Sequence, residues 1–227
     1  MHSNKLPPGN PDNNKYSVII FDWDGTLMDS IDKIINCVTQ AAKLTDVVAP
    51  SAESIRNIIG LSLEKAMATL FPMLSFAKQA QLIETYRHQY TYLNKQETPF
   101  YPGIKVWLKL LKEQGYLLAV ATGKGRKGLD RLLLQYEVTD LFSITYCADE
   151  TLSKPHPLML NNILKELEIN AEQALMIGDS SFDLEMANNA NIDCIGVTYG
   201  VHSESILSRY NPVAILSDLP TQLWKYI

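Results

Sequence analysis

Tyr16-Ser17-Val18-Ile19-Ile20-Phe21-Asp22-Trp23-Asp24-Gly25-Thr26 is the stretch from which the fold is read. Its first six residues are apolar, β-branched or aromatic for the most part, which predicts a buried strand over residues 16–21 that ends at the polar turn. In an extended segment, side chains two apart point the same way, so the carboxylates of Asp22 and Asp24 can face one site. Gly25 then permits a close backbone approach to a ligand. An isolated Asp-x-Asp-Gly reads as a solvated turn, and its meaning depends on what else reaches the same place.

Downstream of this strand the period changes. Ser30 is placed to cap a helix in which Ile31, Ile34, Ile35, Val38 and Ala42 recur at helical spacing, and further helix-period sequence follows through Leu93. Thr98-Pro99-Phe100-Tyr101-Pro102-Gly103 marks a linker. Helices and strands then alternate, with strands predicted at 116–121, 144–147, 174–177, 194–197 and 213–216. Helices are predicted at 104–113, 129–136, 158–167 and 184–190. Alternation of this kind predicts an α/β fold, a Rossmann-like parallel sheet with helices on both faces. Residues 15–29 and 98–227 form that core, residues 30–97 an inserted all-helical cap, and the Pro- and Asn-rich residues 1–14 a mobile arm.

In such sheets ligands bind beyond the carboxyl ends of the strands. There a second acidic group appears, in Gly178-Asp179-Ser180-Ser181-Phe182-Asp183 after the 174–177 strand. Asp183 also reads as a helix N-cap. Carboxylates from two strand ends repel one another unless a cation sits among them, and hard oxygen ligands suit Mg²⁺ together with a substrate phosphate. Thr122, Gly123 and Lys124 follow another strand and offer a hydroxyl and N–H groups to an anion. Lys154, between Ser153 and Pro155, adds positive charge. A competing pattern is Gly123-Lys124-Gly125-Arg126-Lys127-Gly128, a G-x-G-x-x-G between strand and helix with Asp149 downstream, as a dinucleotide-binding enzyme would have. That reading gives no role to Asp22, Asp24, Lys154, Asp179 or Asp183.

With these residues in order, the chain resembles the haloacid dehalogenase superfamily, and within it the capped phosphoglycolate phosphatase-like phosphatases. The resemblance rests on Phe21 to Ser30, Ala121-Thr122-Gly123-Lys124, Lys154-Pro155 and Gly178 to Asp183. It implies Asp22 as a nucleophile forming an aspartyl phosphate, and Asp24 as general acid and then base. Thr122, Gly123 and Lys154 would hold the phosphoryl oxygens. Mg²⁺ would be bound by Asp22, the backbone carbonyl of Asp24, Asp179 and Asp183. The presence of Asp24 favours phosphatase over dehalogenase chemistry. The insertion is similar to a mobile cap, hinged near 29–32 and 97–103, whose Arg56 contacts the substrate; Arg56 reads equally as an exposed helix arginine. The implied substrate is a small anionic phosphate ester. A sugar-phosphate phosphomutase of the same superfamily remains the alternative, and a phospho-receiver domain would need neither Asp24 nor so large an insertion.

Composition sets the outer limits. The 227 residues are 46% apolar and 20% charged, enough to bury a core. The net charge is −5, without a basic run of the kind that binds nucleic acid. No apolar stretch approaches the ~20 residues of a membrane span. Cys37, Cys147 and Cys194 show no paired spacing, which points to reduced thiols in a cytoplasmic protein, either a monomer or a homodimer.

Overall fold

The structure is a computed structural model that describes residues 15–227, so the expected arm at residues 1–14 lies outside the described residues. The strands are β1 (Val18–Phe21), β2 (Leu117–Thr122), β3 (Ile144–Cys147), β4 (Ala174–Gly178), β5 (Asp193–Val197) and β6 (Ala214–Leu216). They form one parallel sheet in the order β3-β2-β1-β4-β5-β6. β1 therefore lies between β2 and β4, where the chain reverses its direction of progress across the sheet. This switch point is where an open α/β sheet leaves a crevice.

Alternation along each strand builds the layers. Ile19 and Phe21 of β1, Leu118 and Val120 of β2, and Leu175 and Ile177 of β4 share one apolar cluster. Trp107, Leu108 and Leu111 of α5 (Ile104–Glu113) pack into it, as do Leu129, Leu132 and Leu133 of α6 (Arg126–Gln135). The intervening Val18, Ile20, Ala119, Ala121, Ala174 and Met176 form the cluster on the opposite face. They meet Met159, Leu160 and Ile163 of α7 (Leu158–Leu167) and Leu184 of α8 (Ser181–Asn189). Each such side chain, once buried, contributes roughly 1.5 to 3 kcal/mol.

The segment between β1 and α5 holds α1 (Ile31–Leu44), α2 (Ala52–Arg56), α3 (Leu63–Leu70) and α4 (Phe76–His88), then a π-helical turn at Gln89–Leu93. These elements have their own apolar cluster, which reaches the core through Val201. The two chain crossings are tied together. The Asp29 N–H donates to the Pro99 carbonyl at 2.9 Å, and the Tyr101 N–H to the Leu27 carbonyl at 3.0 Å. Serine side chains start α2, α3, α4 and α8 by accepting an N–H from the first turn.

Three local expectations are corrected. Ser30 precedes α1 but makes no side-chain cap; its hydroxyl donates to Asp24 Oδ1 at 2.7 Å. Asp183 is not the N-cap of α8 but the third helical residue of a capping box whose N-cap is Ser180. α6 and α8 begin three residues before the apolar periodicity does, because Gly125 and Ser180 set their starts. Among the described residues no helix is long and apolar enough to cross a membrane.

Candidate active site

The ends of β1, β4 and β2 meet at the crevice. β1 runs directly into Asp22, and the Asp22 N–H donates to the Ile177 carbonyl of β4 at 2.9 Å, which fixes the first turn against its neighbour. Asp22 is buried. Its Oδ1 accepts a 2.6 Å hydrogen bond from Lys154 Nζ, while its Oδ2 is buried without a protein partner. Lys154, wholly buried, donates equally to Asp183 Oδ1 at 2.6 Å. The second oxygen of Asp183 accepts from the Ser180 N–H at 3.1 Å and the Ser180 hydroxyl at 2.6 Å.

Asp179 follows β4 and is held on both oxygens. Thr26 Oγ1 donates to Oδ1 at 2.8 Å, and the Val201 N–H to Oδ2 at 2.8 Å. A Cβ on Gly25, whose φ is +89°, would lie 2.2 Å from Asp179 Oδ2. Glycine is required there both for the left-handed turn and for the approach of the carboxylate.

Burial away from water raises the Asp22 pKa well above the ordinary carboxylate range. Lys154 opposes the shift, and the charges of Asp183 and Asp179 add to it. Burial and Asp183 raise Asp179 to about 7, against the hydrogen bonds from Thr26 and Val201. Burial lowers the Lys154 pKa, but Asp183 and Asp22 outweigh it and the pKa rises.

Ligand oxygens of Asp22, Asp179 and Asp183 lie within 4.8 Å of one another. Three buried carboxylates face a single ammonium, and one of their oxygens has no donor. That surplus of negative charge and that orphaned oxygen fit a hard divalent cation such as Mg²⁺. The carboxylate of Asp24 is not part of this group. Its Oδ1 takes the Ser30 hydroxyl, and its Oδ2 lies 3.0 Å from Lys124 Nζ. Burial works against the Lys124 charge, but Asp24 and Tyr90 outweigh it and raise the pKa.

Asp22, Asp24, Thr122, Gly123 and Lys124 line one cavity of about 840 Å³ between the sheet and the helical segment. Over it lies the loop after α2. A Cβ on Gly123 would come within 2.5 Å of the Gly60 and Leu61 carbonyl oxygens, and the Ser62 N–H donates to Ser153 Oγ at 2.9 Å.

The site thus gathers Asp22, Asp24, Thr122, Gly123, Lys154, Asp179 and Asp183. Arg56 does not line that cavity; its Nη1 donates to the Gly200 carbonyl at 3.4 Å, in the loop that packs against Asp179, where a Cβ on Gly200 would lie 2.2 Å from the Asp179 carboxylate. In the glycine-rich pattern the acid makes a local contact. Asp149 Oδ1 and Oδ2 accept the Arg126 N–H at 3.0 and 3.2 Å, so the acid that would read a ribose is occupied in capping α6. Sequence reasoning missed Thr26, the Val201 N–H and Tyr90. Thr26 lies within the quoted turn, but the other two carry no local signal, since their partners are distant in the chain.

The sequence profile of the haloacid dehalogenase-like hydrolases matches residues 19–197. A phosphoglycolate phosphatase of Vibrio cholerae is 31% identical over 214 residues, covering 91% of this chain and 95% of that protein. One from Mannheimia succiniciproducens is 30% identical over 217 residues, covering 91% and 96%. Among solved structures, a haloacid dehalogenase-like hydrolase of Streptococcus pneumoniae superposes with a TM-score of 0.81 at 29% identity, over 93% of this chain and 98% of that one.

Proposed function

Because the chain belongs to the haloacid dehalogenase-like hydrolases, we propose that it is a Mg²⁺-dependent phosphomonoester hydrolase that works through an aspartyl phosphate on Asp22. The observation that carries this reading is the state of the Asp22 carboxylate. One oxygen is fixed on Lys154 and the other is buried without a partner, which leaves it available to the reaction. Asp22, Asp179, Asp183 and the Asp24 carbonyl would hold the cation, which neutralises charge on the phosphoryl oxygens when bound.

The remaining work belongs to the chain's own groups. Lys154 and the backbone and hydroxyl at Thr122 and Gly123 orient the phosphoryl oxygens, since phosphoryl transfer is mostly positioning and charge neutralisation. Asp22 attacks phosphorus and the ester oxygen departs with a proton from Asp24. Asp24, held at the cavity wall by Ser30 and Lys124, then takes a proton from the water that opens the acyl phosphate and releases inorganic phosphate. The loop at Gly60 and Leu61 lies against Gly123 and lines the cavity, where it limits the access of bulk water in this reading.

The substrate proposed is a small anionic phosphate ester, with phosphoglycolate the first to try because relatives carry that name. The closed loop favours small molecules over phosphoproteins, and the three buried, unbridged thiols suit a reducing cytoplasm. The segment of residues 30–97 acts as the cap in this reading. The test is release of inorganic phosphate from a panel of phosphate esters, with Mg²⁺ and with excess chelator. Release that requires Mg²⁺ and disappears in Asp22→Asn is expected. Full activity in chelator would overturn the reading, and transfer of phosphate within the substrate without release would favour a mutase.

A further inference from the structure

Beside the carboxylate cluster, the cavity has a second polar region, around Tyr90, Lys124 and Arg131. Tyr90, in the π-helical turn after α4, lines the cavity and is 7% exposed, yet among the described residues its hydroxyl, beside Lys124, has no acceptor for its proton. A buried hydroxyl left unpaired is costly and usually marks a place for another group. Arg131 of α6 also lines the cavity, and among the described residues its Nε is buried without a partner and its only hydrogen bond is a long one from Nη1 to the Thr91 carbonyl, at 3.4 Å.

Two ammonium groups sit against the same tyrosine ring. Lys33 Nζ of α1 is 4.8 Å from its centroid, and Lys124 Nζ is 4.9 Å away. Among the described residues, the only carboxylate paired with any of Lys33, Lys124 and Arg131 is Asp24, on Lys124. Burial, together with the nearby charges of Arg131, Lys124 and Lys95, holds the Lys33 ammonium below its ordinary pKa. Three cations from three separate elements are thus held together next to the reaction site with one acid among them. Like charges gathered in this way repel, and an anion between them relieves the strain.

We propose that Arg131, Tyr90, Lys124 and Lys33 form a second anion subsite, which binds a negatively charged group on the leaving-group side of the substrate. The substrate class is then a phosphate ester whose alcohol portion carries a carboxylate or a second phosphate. Arg131 supplies the guanidinium, the group suited to paired hydrogen bonds with a planar or tetrahedral oxyanion, and Tyr90 the spare hydroxyl donor. Lys124 belongs to both regions, since it also fixes Asp24. Three of the four residues come from outside the motifs that carry the family resemblance. The proposal rests on the hydrolase reading for the identity of the transferred group, but not for the presence of the subsite.

Binding to the full-length Asp22→Asn protein in Mg²⁺ tests it without turnover. Calorimetry would compare 2-phosphoglycolate with ethyl phosphate, which lacks the carboxylate. The protein should bind 2-phosphoglycolate at least about tenfold more tightly, and adding Arg131→Gln should reduce that ratio to within about twofold of unity. Tyr90→Phe, which removes one oxygen and keeps the ring under both ammonium groups, should reduce it by about threefold or more, and Arg56→Ala should leave it in place. Equal binding of the two esters, or a ratio that survives both Arg131→Gln and Tyr90→Phe, would overturn the subsite. Thermal melts of each variant separate loss of fold from loss of contact. Phosphate release from either ester by the unaltered protein is scored separately: its absence would contradict the hydrolase reading, while the binding ratio would still decide the subsite.

Discussion

Asp22 and Asp24 are two residues apart and differ in everything that surrounds them. Asp22 is enclosed with two other carboxylates and an ammonium, whereas Asp24 faces a serine hydroxyl and a lysine at the cavity wall. The difference predicts separable defects. Asp24→Asn should slow turnover by about 10²- to 10⁴-fold, with the first step least affected for esters with good leaving groups, which need little protonation. Rapid-quench kinetics on a nitrophenyl and an alkyl phosphate would show this, and equal damage to the first step on both would contradict the role of Asp24 as acid. The buried acids also predict a pH effect in the metal-free protein. Asp179 is raised to about 7 by burial and Asp183, so between its ordinary value of 3.8 and about 7 the folded state holds a proton that the unfolded chain does not. Stability from this group is therefore greatest at low pH and is lost as pH rises through about 7. Thermal melts in chelator should show a decline across that window that is smaller in Asp179→Asn, and Mg²⁺ should reduce it in the unaltered protein. A decline of equal size in the variant would remove Asp179 as its source.

At the scale of elements, the sheet places the site by bringing together three strand ends that are far apart in sequence. The strands were legible because each is a short apolar run closed by a polar turn, and β1, β2 and β4 show the double-sided burial of a parallel sheet. What stayed out of view is contact between distant segments. Ser30 has the residue type and position of a cap, yet the proximity of Asp24 redirects its hydroxyl. Arg56 stands in a stretch that suggested substrate contact, but the end of α2 turns it toward Gly200. Gly123 reads in the sequence as an N–H donor to an anion, and the structure adds a second requirement that the sequence does not show, the close passage of the Gly60 and Leu61 carbonyls. Gly123→Ala should therefore force that loop off the core without disturbing the sheet. Faster hydrogen exchange in residues 58–62, with the core strands unchanged and activity reduced at least about tenfold, is the expected outcome. Unchanged exchange and activity would mean that the loop can yield at no cost.

At the scale of the whole molecule, a chain of net charge −5 brings Lys124 and Arg131 to the wall of one cavity, with Lys33 against the same Tyr90 ring as Lys124, beside a group of buried acids. The arrangement matches a ligand that is anionic at both ends, with a cation drawn into the acidic end. The helical segment completes it by supplying Tyr90 and the covering loop, while the sheet supplies Asp22, Asp179 and the Thr122 turn. The hydrolase reading requires that Asp22 itself accept the phosphoryl group. The most direct measurement is acid-quenched peptide mass spectrometry of the Asp24→Asn protein after brief mixing with 4-nitrophenyl phosphate and Mg²⁺, conditions under which formation of the acyl phosphate outruns its hydrolysis. The account predicts a mass increment of one phosphoryl group on Asp22, absent when chelator replaces Mg²⁺. Release of nitrophenol with Asp22 unmodified at every time point, or a phosphoryl group on another residue, would contradict it.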